Sequence, residues 1–205
     1  MNNDFVPGLY YADVWDIFLV VLMAVAAIVL TVRLVFWILG SFARFSMARR
    51  RNLAHSWLAW IPVGRDWILG SLSDQYQYVV KGRWRSLRNW LTVTGVLAVV
   101  CSSTCAGLSV ARVVLEIFRI EQNGYYLTLV IPTLVSMTLG LVSGLSSVVY
   151  YVLHKVALFD VYRSCDPDSA VLFLVLSIFV PVTEPFLLVY LRRKELGMPP
   201  RKTTA

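Results

Sequence analysis

Between Glu121 and Lys155 the chain carries no Asp, Glu, Lys or Arg. That stretch outlasts the roughly 20 apolar residues a helix needs to cross a bilayer core, with length left over for tilt. Two further apolar stretches, Val14 to Gly40 and Trp90 to Ala111, meet the same length requirement. The whole sequence is 58% hydrophobic and 15% charged, which excludes an ordinary soluble domain. The expected fold is therefore an all-α integral membrane protein, a single membrane domain over residues 1–205. Three long transmembrane helices are expected over 14–40, 90–118 and 125–160, together with two proline-broken segments over 57–73 and 169–191.

The broken segments echo one another. Ile61-Pro62-Val63-Gly64-Arg65-Asp66-Trp67-Ile68-Leu69 is matched, 119 positions on, by Val180-Pro181-Val182-Thr183-Glu184-Pro185-Phe186-Leu187-Leu188. Proline removes a helix hydrogen bond and clashes with the preceding turn, so each copy is expected to re-enter or kink. Each copy also carries ionisable side chains next to apolar sequence. In carriers, ligand sites form where such broken helices meet.

Charge discriminates between crossing patterns, because Lys and Arg accumulate on the cytoplasmic side. If both broken segments enter and return, fifteen of the nineteen Lys and Arg residues fall on one side and only Arg112 and Arg119 on the other, with Arg33 and Arg65 inside apolar stretches. The alternatives, in which one or both segments cross, divide the charge more evenly. This pattern predicts an extracellular N-terminus and a basic cytoplasmic tail over 192–205. The N-terminal residues have no basic cluster, and the apolar run after them is too long for a secretory leader. The net charge of +7 lies beside the apolar stretches, which points to anionic lipid headgroups as partners and not to nucleic acid.

The linker over 41–56 reads as a basic interfacial segment. Arg44, Arg49, Arg50 and Arg51 are its lipid-headgroup candidates, and Phe42, Phe45 and Met47 are expected to rest among acyl chains. Small residues at four-residue spacing let membrane helices approach closely. Ser103 and Gly107 on the second span, with Ala98 and Ser102 on a neighbouring face, are expected to pack against Ser136, Gly140, Gly144 and Ser143 on the third.

Glu184 is the sharpest candidate for chemistry, since an ionised carboxylate in lipid must face protein, meet a cation or take a proton. Arg65, Asp66 and Arg33 complete the candidate ion or solute site, with Arg33 or Arg65 as the expected partner of Glu184. No catalytic residue, metal site or cofactor is expected. His55 and His154 lack a ligand partner at a recognised spacing, and Gly140-Leu141-Val142-Ser143-Gly144 is a packing sequence, not a nucleophile elbow. The three cysteines do not make a disulfide framework; Cys101 and Cys105 read as buried apolar thiols.

His55-Ser56-Trp57-Leu58-Ala59-Trp60-Ile61-Pro62-Val63, then Trp67-Ile68-Leu69-Gly70-Ser71, resemble a small multi-pass membrane protein family of Gram-positive bacteria. The closing run from Leu172 through Glu184-Pro185 to Pro199-Pro200 belongs to the same resemblance. It implies a bacterial plasma membrane and no activity. The expected function is a non-catalytic structural or interaction subunit of a membrane assembly, as a homodimer or with a membrane partner. The alternatives are a small-solute or ion transporter with its site near Glu184, and an intramembrane hydrolase using Ser146 or Ser147 with His154.

Overall fold

A computed structural model describes residues 7–83, 85–117 and 125–194. Six helices account for most of them: α1 (Pro7–Arg50), α2 (Pro62–Lys81), α3 (Leu87–Ile117), α4 (Tyr125–Cys165), α5 (Ala170–Phe179) and α6 (Glu184–Lys194). Short 3-10 turns, Ser56–Trp60 and Pro181–Thr183, precede α2 and α6. Stretches of α1, α3 and α4 are long and apolar enough to cross a membrane: Trp15–Arg50, Leu87–Ala111 and Ile131–Cys165.

The long helices change character along their length. On α1, residues 15–35 are exposed throughout; at 1.5 Å per residue they rise about 30 Å, the thickness of a hydrocarbon core. Beyond them the helix enters a packed lobe, where Ala43, Met47 and Ala48 are fully buried. α4 repeats the pattern: it is mostly exposed to residue 149, then supplies Ala157, Leu158, Val161 and Tyr162 to the same core. α2 contributes Ile68, Leu69 and Leu72, and α6 contributes Leu188 and Leu191. The chain thus builds a bare membrane section and a buried-core lobe at one end of it.

Two backbone contacts fix the path into the lobe. Pro62 is the first residue of α2, where its missing N–H costs nothing and its fixed φ suits the helix. A Cβ on Gly64 would lie 2.3 Å from the Leu58 carbonyl oxygen, and one on Gly70 would lie 2.4 Å from the Arg88 Cα. Only glycine lets the preceding turn and α3 come so near. The Asp74 carboxylate then caps α3 from outside, accepting from the N–H groups of Leu87 (2.9 Å) and Arg88 (3.1 Å).

Both broken segments return to the end from which they came. Gln75 on α2 donates to the Arg51 carbonyl at 3.3 Å, so α2 descends alongside the end of α1. At the other hairpin Lys194, closing α6, lies 2.5 Å from Asp166, which precedes α5. That ammonium, bonded to Asp166, holds its carboxyl below the ordinary value. The exposed apolar side chains of Phe179, Val180 and Val182 occupy the hairpin tip.

Several sequence expectations are corrected. Residues 41–50 are not a surface linker but the last turns of α1. Arg51 is buried, donating to Ser164 Oγ at 2.6 Å and to the Leu72 carbonyl at 3.4 Å. Met47 lies in the core, not among acyl chains. Over 57–73 the break comes at its start, and a continuous helix runs on to Lys81. The α3–α4 seam uses only part of the expected small-residue faces. Ser102 and Ser143 hydroxyls meet at 2.7 Å, and the Cys105 thiol contacts the Ser136 carbonyl at 3.6 Å. Ser103 is exposed and bonds its own helix, while among the described residues a Cβ on Gly107, Gly140 or Gly144 would meet nothing within 4 Å. The seam follows the Ala98–Ser102 face, because the 3.6-residue period allows only one stripe of each helix to face its neighbour.

Candidate functional site

All six helices meet at one set of charged and polar side chains where the lobe adjoins the bare section. Glu184 opens α6 immediately after the Pro181 turn. Its Oε1 accepts from Arg44 Nη2 on α1 at 2.9 Å and lies 3.0 Å from His154 Nε2 on α4. Its Oε2 is 3.4 Å from Lys155 Nζ, which also donates to the Ser177 carbonyl on α5 at 2.9 Å. On the other side of the imidazole stands Asp66 of α2, with Oδ1 4.0 Å from His154 Nδ1. The Tyr150 hydroxyl donates to Asp66 Oδ2 at 3.0 Å. Gly95 of α3 closes this side: a Cβ there would come within 3.1 Å of the Tyr150 ring. His154 therefore lies between two carboxylates, one from each proline-led turn.

Helix periodicity explains how α1 takes part. Arg33, Trp37, Gly40 and Arg44 follow one another at intervals of four, three and four, a single stripe of the helix. All four line a cavity of about 510 Å³ between α1 and α6, together with Arg65 and Glu184. A second cavity, of about 670 Å³, lies between the start of α2 and the α3–α4 pair, and Arg65, Asp66 and Tyr150 line it. Arg65 thus lines both spaces.

The structure places three of the four expected ion-site residues around Glu184 in an unexpected way. Asp66 is in the cluster and is buried. Arg65 is half-buried, its Nε 3.8 Å from Asp66 Oδ1. Arg33 is exposed and faces the α1–α6 cavity, with no acidic partner among the described residues. The expected pairing of Glu184 with Arg33 or Arg65 is corrected: its arginine is Arg44. The same finding corrects Arg44 as a headgroup anchor, since it is only 3% exposed. Arg49 and Arg50 do remain on the surface at the end of α1, with Arg50 donating to the Arg192 carbonyl at 2.9 Å.

Sequence reasoning missed His154, Lys155 and Tyr150 as members of the cluster. Tyr150 and His154 are four apart, hence on one face of α4, and the signal was a polar pair ending a long uncharged run. It also missed Asp160, buried on α4, whose carboxylate accepts from Ser73 Oγ at 2.6 Å and Gln77 Nε2 at 2.7 Å. Those two partners are again one turn apart, on α2.

Electrostatically the cluster is not balanced. Within the cluster Arg44, Arg65 and Lys155 face the two carboxylates of Asp66 and Glu184, and Arg33 adds a fourth cation, exposed, on the cavity wall. Burying unpaired charge is costly, so excess charge in such a place demands a counterion or solvent. Arg44 Nε, Arg65 Nε, Asp66 Oδ1 and His154 Nδ1 are all buried without a hydrogen-bond partner. His154 makes no hydrogen bond to a serine among the described residues; both its ring nitrogens face carboxylates. No group of three His, Cys, Asp or Glu among those residues is arranged to hold a metal.

Comparison with family models, with curated proteins and with solved structures finds no match to this chain. The geometry of the cluster therefore carries the functional reading.

Proposed function

We propose that this chain is a non-catalytic integral membrane protein that holds an anionic ligand in the cavity between α1 and α6. The excess of cations around that cavity carries the proposal: three arginines and one glutamate line it, and a bound anion would restore neutrality in a poorly solvated place. The lobe faces the cytoplasm in this reading, because Arg49, Arg50, Lys81, Arg163 and Arg193 all lie exposed on it. The host is the bacterial plasma membrane that the sequence resemblance implies. Ligand exchange would pass between α1 and α6 without any covalent step, and the proline-led turn at Pro181 forms part of the cavity wall.

A second reading, as a subunit of a membrane assembly, is favoured by a separate observation. α1 lies against α2, α6 and the Ser56–Trp60 turn rather than against α3 and α4. Its bare stretch over 15–35 is open to a second copy or a different membrane partner.

The anion reading is tested by thermal unfolding of the purified full chain in neutral detergent, titrated with inorganic phosphate and with sulfate. Anything that binds the native state alone raises its stability, by about 2.7 kcal/mol at a ligand concentration 100 times Kd. A saturable rise in Tm is expected, and it should shrink in Arg33→Gln and Arg65→Gln. A Tm that responds only to ionic strength, identically in all three proteins, would remove the proposal.

A further inference from the structure

The anion site is built to reach ligand from one source in particular, and this step rests on the anion reading above. We infer that the α1–α6 cavity is a site for the phosphate of a membrane lipid, entered sideways from the bilayer. Three observations lead there. The first is the mixed lining. Leu30 and Leu34 stand on the wall alongside Arg33 and Arg44, and both leucines are largely exposed, at 68% and 57%. Such a wall is apolar towards the membrane section and cationic towards the lobe, the polarity order of a lipid itself.

The second observation is depth. The bare stretch of α1 over 15–35 matches one hydrocarbon thickness, and the buried lobe begins directly below it. Arg33 sits near the end of that stretch and Arg44 about 16 Å further along the axis. The cationic part of the cavity therefore falls at the level where lipid phosphates lie, and a long arginine side chain readily reaches them. The third is donor availability. Guanidinium groups suit phosphate because they present several N–H donors in a planar fork. Arg44 Nε is buried with no hydrogen-bond partner, Arg65 Nε has only the Asp66 carboxylate at 3.8 Å, beyond hydrogen-bond distance, and Arg33 has no acidic partner among the described residues. Glu184 occupies Arg44 Nη2, which leaves the rest of that fork to a ligand.

A free phosphate would use the same donors but would gain nothing from Leu30 and Leu34. The two sources therefore separate experimentally. The full-length protein, stripped of lipid in neutral detergent, would be examined by native mass spectrometry against four probes: dioleoyl phosphatidylglycerol, dioleoyl phosphatidic acid, dioleoylglycerol with the same chains and no phosphate, and inorganic phosphate. One lipid should be retained per chain. Both phosphate-bearing lipids should bind more than tenfold tighter than dioleoylglycerol, and inorganic phosphate should bind at least a hundredfold weaker than either.

Arg33→Gln with Arg65→Gln should remove most of that preference. Neither residue lies in the packed core, and an unchanged Tm without lipid would show that the double variant is folded. If the double variant did not fold, Arg33→Gln alone, at an exposed position on the cavity wall, should still weaken phosphate-lipid retention several-fold. Equal retention of phosphate lipids and dioleoylglycerol, or retention indifferent to Arg33, would mean lipid bound only around the protein and would overturn the inference. Tight binding of inorganic phosphate without a lipid preference would overturn it while leaving the anion reading intact. Absence of binding by every probe would overturn both.

Discussion

Glu184 accepts from or faces three nitrogenous side chains, on α1 and α4, and that concentration of partners sets the cost of losing it. A buried ion pair is worth little net when both members are present, yet removal of one member strands the other. Glu184→Gln should therefore destabilise the protein by about 3–5 kcal/mol, read as a lower midpoint in thermal or denaturant unfolding in detergent. Pairing it with Arg44→Gln removes the stranded guanidinium and should return part of that loss. If the double change costs as much as the sum of the single changes, the two side chains do not act as a pair. The candidate residues Glu184, Asp66 and Arg65 were legible in the sequence because charge beside proline in an apolar run is conspicuous. Arg44 was read as a headgroup anchor because it heads a basic run, Arg44 to Arg51, in which only the helical phase distinguishes the buried members from the exposed ones. His154 and Lys155 were hidden for a different reason: their partners lie on other helices, far away in sequence.

Helix contacts show the limits of spacing rules. The sequence offers small residues at four-residue intervals on more than one face of α3 and α4, and each face satisfies the same rule for close approach. The fold uses the Ala98–Ser102 face against Ser143, and among the described residues a Cβ on Gly107, Gly140 or Gly144 would meet nothing within 4 Å. Alanine at those three glycines should accordingly be tolerated, within about 0.5 kcal/mol of neutral. Gly64 and Gly70 should behave in the opposite way. An added methyl there meets main-chain atoms that cannot rotate aside, so Gly64→Ala and Gly70→Ala should each cost about 1–3 kcal/mol. Unfolding midpoints of the five single variants would check the contrast, and a destabilised Gly140→Ala beside an unaffected Gly70→Ala would reverse it. The turn echo also belongs to this scale. Both copies place a proline at the start of a helical turn and an ionisable group soon after it. What leads into the prolines differs: a 3-10 turn before Pro62, and the helix α5 before Pro181.

For the whole molecule, the decisive arrangement is a three-helix membrane section with a lobe at one end. α2 and the α5–α6 pair both belong to the lobe and come back to its base. Single cysteines at Lys81 and Arg193, in a chain whose Cys101, Cys105 and Cys165 have been replaced, should thus be labelled by an impermeant thiol reagent from the same side of a sealed vesicle. A cysteine at Ala111, near the far end of α3, should be labelled only from the other side. Labelling of Lys81→Cys and Arg193→Cys from opposite sides would mean that one of the returning segments crosses. Charge had already favoured the returning arrangement, because it put nearly all basic residues together. The contact between Asp166 and Lys194 supplies the geometric reason for one of the two hairpins.

Class, the three long apolar helices and the places where the chain must break were legible in the sequence alone, while the path of the two broken segments was left between returning and crossing. Each legible feature depends on local quantities: apolar length against bilayer thickness, and the missing N–H of proline. The identity of the charged cluster was decided only by tertiary structure. Arg44, Asp66, His154, Lys155 and Glu184 come from four helices, and none signals its partner through spacing along the chain. Their meeting depends on which stripe of each helix turns inward, a choice made jointly by all the packed helices.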